Sequence, residues 1–258
     1  MPFQTPHQPN LRRFLDRLLS RSVLSDREQQ AILDLPAYVA QVPANSDFVR
    51  MGEVVDHACV IVEGIAGRFG QNANGARQIT ALHIAGEMAD LHSVVQPKGC
   101  SALQALSTLT ILRVPHRALR AAAGRYPAVA EALWRDSSVD AAILSQWVVN
   151  VGRRDARTRI AHLLCEMATR YKAYRNEGDI VFEFPVTQAH LADVTGLTPV
   201  HVNRTLKGLR EAGLAIMADR MVRILDWEEL AILGEFEPAY LQTDIRPEER
   251  LRIVRIVQ

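Results

Sequence analysis

The sequence predicts an α+β chain with a β-rich front, one long helix, and a C-terminal pair of short helices followed by a hairpin. Three observations carry this. Between Tyr38 and Val114 short apolar runs alternate with turn residues, the mark of a compact β sandwich or barrel. From Pro127 to Val151 no glycine or further proline interrupts a helical pattern. Val186 to Leu214 then reads as helix, tight turn and helix, with β-like residues directly after it.

Taken in order, Leu11, Phe14, Leu15, Leu18 and Leu19 recur at helical spacing, and Ser25 to Leu35 forms a second helical stretch closed by Pro36. The β region follows, with runs at Val54-Val55 and Val60 to Val62. Asn74-Gly75 marks a hairpin turn, and further runs lie at Ile79 to Ile84, Ala102 to Leu106 and Leu109 to Val114. Asn-Gly suits such a turn because both residues tolerate positive φ. Pro115 ends the region, and His116 to Ala123 is predicted helical. In the long helix Val129, Leu133, Val139, Ile143, Leu144, Trp147, Val148 and Val151 form a wide apolar arc. An arc of that width fits packing on its own domain and on a partner helix. Gly152 is expected to break the helix and act as a hinge, and Arg154 to Tyr174 forms the next one.

Thr187 is a good N-cap, because its hydroxyl can accept from a free N–H at a helix start. Leu191 and Val194 supply an inward face, and Gly196 sits where the chain turns. Thr198-Pro199 restarts the helix with a cap and a proline at its first position. On the second helix Val202, Leu206 and Leu209 fall on one side, while Val200, Asn203, Arg204 and Lys207 fall on the other, with His201 on the flank. The buried side must be the apolar one. Arg204 and Asn203 then offer forks that suit guanine and adenine edges, and Val200 can touch a thymine methyl. Lys207 and His201 are placed for phosphates. The β-like runs Ile216-Met217 and Met221 to Leu225 flank Ala218-Asp219-Arg220, which makes the unit a winged helix with Arg220 at the tip. The expected DNA-contacting set is Thr187, Gln188, Thr198, Pro199, Val200, His201, Asn203, Arg204, Lys207 and Arg220.

The 258 residues suffice for two domains, and 48% hydrophobic with 23% charged residues is an ordinary globular composition. A net charge of +1 supplies no global field toward nucleic acid, so any attraction is local. One basic cluster, Arg153, Arg154, Arg157, Arg159, Arg170, Lys172 and Arg175, precedes the helix pair. Cys59, Cys100 and Cys165 are scattered, which points to a reducing compartment and away from disulfides or a thiolate metal site. With no apolar signal core and no run of membrane-spanning length, a cytoplasmic location is expected.

This order of parts resembles the Crp/Fnr family of bacterial transcription regulators over about residues 11 to 230. The resemblance is most specific in LADVTGLTPVHVNRTLKGLREAGL, and VIVEGIAGRF followed by Gly86-Glu87 is similar to the family's cyclic-nucleotide-type β-roll, a jelly roll. It implies four parts: a β-roll sensor with N-terminal helices over 1–126, a dimerisation helix and hinge over 127–152, a winged helix-turn-helix over 153–233, and a C-terminal extension over 234–258. It also implies a homodimer on a two-fold symmetric operator in double-stranded DNA, contacts with RNA polymerase, and no membrane partner. The corresponding effector pocket is Gly86, Glu87, Cys100 and Ser101. Family members that bind cyclic AMP carry an arginine–serine or arginine–threonine pair where this chain reads Cys100-Ser101. Without that arginine a buried phosphate lacks its charge partner, so a cyclic nucleotide is not expected and the effector is unknown. The N-terminal cysteine group of iron–sulfur members is also missing. Val200 stands where several members place a glutamate that reads cytosine, so their operator does not transfer.

Three other readings compete with this one. His57, His83, His92 and His116, with Asp56 and Asp90, allow a haem or metal site in the sensor, although spaced histidines more often hydrogen-bond to the fold. No cofactor or metal site is assigned. Asp90-Leu91-His92-Ser93 and Cys100 bring catalytic residue types together, but adjacency in sequence rarely gives a working constellation, and no catalytic residue is expected. The third reading is a ligand-binding module whose winged helix serves protein contacts.

Overall fold

The computed structural model describes residues 8–176, 178–243 and 245–253. These fall into two compact units. The first comprises residues up to Phe69, Leu82–Ala141 and the last residues from 245. The second comprises Gly70–Ala81 and Ala142–Thr243. The units therefore part inside the long helix, between the 126 and 152 boundaries drawn on the sequence.

α1 (Gln8–Leu19) and α2 (Asp26–Leu33) precede seven strands, β1 (Tyr38–Val42), β2 (Asp47–Val49), β3 (His57–Glu63), β4 (Ala66–Gln71), β5 (Arg77–His83), β6 (Ala102–Ala105) and β7 (Leu109–Pro115), of which the end of β4 and most of β5 fall in the second unit. They form two sheets, β1-β7-β3 and β2-β6-β4-β5. Inward-facing Cys59, Ile61, Ala66, Leu103, Ala105, Leu109 and Ile111 make one core. The alternate residues Ala58, Val60, Leu112 and Val114 make a second with Leu11, Phe14, Leu15 and Leu18 of α1. Both faces of β3 are therefore covered, which is why its centre is a continuous apolar run instead of an alternation. α3 (His116–Arg125) and α4 (Pro127–Arg153) follow, and Ala128, Val129, Ala132 and Leu133 of α4 join the second core. Gly152 does not break α4, which runs one residue further. The break comes at Asp155, whose carboxylate accepts from the N–H groups of Arg157 and Thr158 and starts the next helix.

The second unit contains α5 (Ala156–Arg170), β8 (Tyr174–Asn176), β9 (Asp179–Glu183), α6 (Gln188–Thr195), α7 (Pro199–Glu211), β10 (Ala215–Ala218), β11 (Met221–Ile224) and α8 (Trp227–Leu233). The sequence reading carried α5 on to Tyr174. Instead Lys172 adopts a left-handed φ of +49°, and a hairpin of β8 and β9 begins. That hairpin enlarges the wing, because β11 pairs with β9 as well as β10 in the order β10-β11-β9-β8. Arg223 of β11 forms an ion pair with Asp179 of β9. α5 packs on α7 and α8, burying Ile160, Ala161, Leu163, Leu164 and Met167.

Phe14 is fully buried between α1 and the β sheet. Phe14→Ala is expected to lower the unfolding free energy of the protein by about 3–5 kcal/mol, read from chemical denaturation.

Candidate nucleic-acid interface and sensor pocket

α6 and α7 meet through local chemistry that the sequence states openly. The Thr187 hydroxyl accepts from the His190 N–H at 3.1 Å, and the Thr187 N–H donates to His190 Nδ1 at 3.3 Å. Burial holds the His190 imidazole below its usual pKa, consistent with a neutral ring accepting there. Gly196 takes the left-handed conformation, φ +65°, that turns the chain. Thr198 then caps α7 by accepting from the His201 N–H at 3.2 Å, with Pro199 in the first turn.

On α7 Val202 and Leu209 are fully buried. Thr205, not Leu206, completes the underside, and its hydroxyl donates to the His201 carbonyl at 2.9 Å. Leu206 is half-buried. Because Thr205 satisfies its own hydroxyl within the helix, it sits on the inner face without an orphaned polar atom. The outer face carries Asn203, Arg204 and Lys207, all exposed, with Val200 80% exposed at the N-terminal end and His201 half-exposed. Thr187, Gln188, Thr198 and Pro199 are exposed too. Asn203 Nδ2 donates to Gln188 Oε1 at 3.3 Å, so the two amides stand together across the helix pair.

Two grooves flank α7. One is lined by Gln188, Asn203, Lys207 and Arg210 with Met217 and Ala218 of the wing. The other is lined by Asp155 and Arg157 at the start of α5 with His201, Arg204 and Gly208. Cations edge both. The basic cluster before α6 divides accordingly. Arg154 pairs with Glu235, Arg159 donates to the carbonyls of Arg154 and Thr195, and Arg170 pairs with Glu166. These three hold the fold, whereas Arg157 faces solvent beside Arg204. Arg157 and Arg210 are absent from the set read off the sequence, because their place beside α7 depends on tertiary packing.

The wing turn joins Ala218 to Met221 through Asp219 and Arg220, at φ +51° and +63°. Two consecutive left-handed residues match a type I′ turn, yet neither is glycine, so each carries a conformational cost. Arg220 is exposed at the tip.

In the other unit Gly86, at φ +90°, brings its backbone against Arg13, and a Cβ there would meet the Arg13 carbonyl oxygen at 3.3 Å. Glu87 is buried. Its Oε1 accepts from Arg17 Nη1 at 2.8 Å and its Oε2 from the Ile84 N–H at 3.2 Å. Arg17 also donates to Asp136 at 2.8 Å and Asp140 at 3.3 Å, and Arg21 donates to Asp136 at 2.8 Å. Two guanidiniums and three carboxylates thus join α1, the β region and α4. Burial, reinforced by Asp136, pushes the Asp140 carboxyl up to about 7. Burial likewise lowers Arg21 to about 10. Arg17 went unread in the sequence although Arg13, Arg17 and Arg21 recur every four residues along one helix side.

Cys100 is exposed with Sγ 3.9 Å from His92 Nε2, and Ser101 is half-buried. The pocket drawn on the sequence is therefore divided between partners: Glu87 turns to Arg17, and Cys100 to His92. Asp90, His92 and Ser93 also diverge. Asp90 accepts from the Cys59 N–H at 2.6 Å, and burial raises it to about 6. Ser93 Oγ lies 2.8 Å from His116 Nε2. His57 pairs with Asp56, and His83 Nδ1 lies 3.8 Å from Glu87. Among the described residues no group of three His, Cys, Asp or Glu side chains is arranged to hold a metal ion, and no helix is long and apolar enough to cross a membrane.

Residues 158–233 match the family model of the Crp-like helix-turn-helix domain. Beyond this domain, the chain is similar along most of its length to regulators of the Crp/Fnr family. Among Crp/Fnr relatives, the nitrogen fixation regulation protein FixK of Azorhizobium caulinodans is 26% identical over 214 residues, covering 81% of this chain and 84% of that protein. The fumarate and nitrate reduction regulatory protein of Vibrio cholerae is 21% identical over 193 residues, 75% and 77% of the two chains. The structure of FixK2 from Bradyrhizobium japonicum shares the fold at TM-score 0.67 and 23% identity, covering 77% of this chain and 98% of that one. A CooA mutant from Carboxydothermus hydrogenoformans shares it at TM-score 0.64 and 16% identity, over 85% and 95%. The chain thus has the fold of Crp/Fnr-type transcription regulators, a β-roll, a long helix and a winged Crp-like helix-turn-helix domain.

Asp140 yields a pH prediction. Its folded pKa lies above the unfolded carboxylate value, so its contribution is present below about pH 4 and lost as pH rises through about 7. The melting temperature of the wild type should therefore fall over this range by more than that of Asp140→Asn. Arg220→Gly relieves a left-handed arginine, so stability should hold or rise by up to about 1 kcal/mol while affinity for DNA falls. Denaturation and DNA titration on one preparation separate the two effects.

Proposed function

We propose that the protein is a homodimeric, sequence-specific regulator whose two α7 helices enter successive major grooves of a two-fold symmetric operator. The exposed face of Asn203, Arg204 and Lys207 over a buried stripe is the observation that carries this reading. In it, Arg204 and Asn203 with Gln188 read base edges, and Val200 touches a methyl group. Thr187, Thr198, Pro199, His201, Lys207, Arg157 and Arg220 border or hold the backbone. Two half-sites about 34 Å apart follow from the docking geometry of such dimers.

The dimer is supported by α4. Val129, Leu133, Val139, Ile143 and Trp147 are buried within the chain. The outward row is instead Trp134, Ser138, Ala141, Ser145, Val148 and Gly152, bordered by Leu144 and Val149. Its steps of three and four residues are those of a two-stranded helical seam. Small residues along it let two helices approach closely, and Trp134 and Val148 supply apolar area. Contact with RNA polymerase and a cytoplasmic location rest on resemblance to the family.

The effector is a ligand other than a cyclic nucleotide in this reading. A ribose-binding carboxylate must be available to its ligand, and Glu87 is already engaged by Arg17 and a backbone N–H. The competing view, a winged helix serving protein contacts, is opposed by the cations along both grooves.

Operators selected from random DNA by the purified protein test the proposal. Arg204→Ala should lose about 1–3 kcal/mol of affinity at fixed salt and relax preference at one position of each half-site, whereas Lys207→Ala should weaken all sequences alike and reduce the salt slope by about 1. Equal binding by Arg204→Ala would overturn base readout, and affinity independent of salt would favour protein contacts. Val148→Asp should shift the protein to monomers in sedimentation and abolish operator binding; a variant that stays dimeric places the seam elsewhere.

A further inference from the structure

Two of the carbonyl groups that end α6 are closed from outside the helix pair. The last carbonyls of a helix have no partner within it. In α6 the Ala192 carbonyl accepts from the N–H groups of Gly196 and Leu197. The Thr195 hydroxyl turns back to the Leu191 carbonyl at 2.7 Å. The carbonyls of Val194 and Thr195 are met by side chains instead. Gln78 Nε2 of β5 donates to Val194 at 2.9 Å, and Arg159 Nη1 of α5 donates to Thr195 at 2.9 Å. Val194 and Thr195 are buried, Thr195 completely, so water is poorly placed to replace either donor. All of these residues lie in the second unit, which takes in Gly70–Ala81.

The same side chains frame the turn itself. A Cβ on Gly196 would stand 3.6 Å from Gln78 Oε1, 3.7 Å from Arg159 Nη1 and 3.9 Å from Val151 Cγ1. β5, α5 and the end of α4 thus close around the left-handed residue between the two helices. Gln78 is itself fixed, since its amide also donates to the Ile79 carbonyl at 3.0 Å. Arg159 is fixed by its bond to the Arg154 carbonyl at 2.8 Å. Beside Gln78, Arg77 Nε lies 3.8 Å from Asp193 Oδ2. It sets a cation against a carboxylate at the helix end where negative charge is disfavoured. Only Gly196 and Leu197 separate α6 from Thr198, the cap of α7. A small rotation there swings the whole outer face of α7. It also strains the bond between Gln188 on α6 and Asn203 on α7.

We propose that Gln78 is a positioning residue for DNA recognition: by closing the Val194 carbonyl, this side chain of β5 fixes the angle between α6 and α7, and with it the selectivity of Arg204 and Asn203. Gln78 reaches the helix end from 116 residues away in sequence, and Arg159 plays the matching part from α5. Contacts to phosphates are spread over both grooves and tolerate a small change of angle, whereas two-pronged base contacts do not. Loss of Gln78 therefore acts on the choice between sequences more than on attraction to DNA as such. This role presupposes that α7 reads bases, as proposed above.

Full-length Gln78→Met and Gln78→Glu proteins test it, since both keep the length of the side chain and remove its donor. Gln78→Met should bind the operator selected by the wild type about fivefold more weakly, with affinity for unrelated DNA held within about twofold and the salt slope unchanged. Gln78→Glu, which sets a carboxylate oxygen against the Val194 carbonyl, should lose at least as much. In an Arg204→Ala background the Gln78→Met change should cost less than about twofold, because the contact it positions is gone. Hydrogen exchange followed by mass spectrometry should show peptides spanning residues 192–201 exchanging faster in both variants, and thermal melting on the same samples establishes that they are folded during the titrations. Unchanged operator affinity overturns the proposal. Equal losses on operator and unrelated DNA, or full additivity with Arg204→Ala, overturn it too, because Gln78 then only stabilises the fold. A wild type that selects no operator defeats the base-reading role of α7 instead, while exchange still decides whether Gln78 holds the turn.

Discussion

A helix that buries one side has only the other to offer, and α7 is committed by Val202 and Leu209, neither of which retains contact with solvent. The apolar area they remove from water stabilises one rotation of the helix about its axis. A turn of half a face would expose both and bury Arg204, costing the transfer of two aliphatic side chains and the desolvation of a guanidinium. Everything that makes the surface chemically selective follows from that fixed rotation. The caps at Thr187 and Thr198 and the left-handed Gly196 set where the helix begins, and the α5 core sets how deeply it sits. The outer residues then need no further support to face outward.

The unit that holds the β-roll is organised by a different force. Burying five charged groups together is expensive, and their mutual pairing offsets much of the cost only while every partner is in place. Arg17 is the hub, touching Glu87 of the β region and Asp136 and Asp140 of α4. Removing it would leave Glu87, Asp136 and Asp140 without the guanidinium they share, with Arg21 still bonded to Asp136. The network thus ties the position of α1 to that of α4, the helix whose outward row is available to a partner. A ligand or proton that altered the charge balance here would act on both elements at once, and Asp140 is the group whose ionisation lies nearest neutrality.

How far the sequence spoke depended on the range of the interactions involved. Caps, turns and amphipathic faces are local, so Thr187, Gly196, Thr198 and the outer face of α7 could be read directly. The β region was recognised by its period, but not which strands pair, because register depends on partners distant in sequence. The hairpin of β8 and β9 escaped because Lys172 takes a left-handed conformation without the glycine that normally signals one. Leu206 and Thr205 exchanged their expected burial, since a threonine that bonds its own helix behaves as a small apolar residue. The long helix showed the limit of pattern alone. Its wide apolar arc was real, yet only packing could divide the arc into residues that face the chain and residues left outward. The sequence offered nothing for the tail beyond mixed charge, because the carboxylates it meets lie 74 to 224 residues away.

The hydrogen bond between Asn203 and Gln188 couples two amides on separate helices, which the proposed reading sets against one base. Each amide can flip, and each orientation of one fixes which donor or acceptor the other presents to a base. In that reading, preference at that position of a site is a property of the pair. Related regulators could diverge in the sites they occupy through residue 188 alone, with every residue of the inserted helix unchanged, and attempts to retarget the protein by altering that helix singly would meet strong non-additivity.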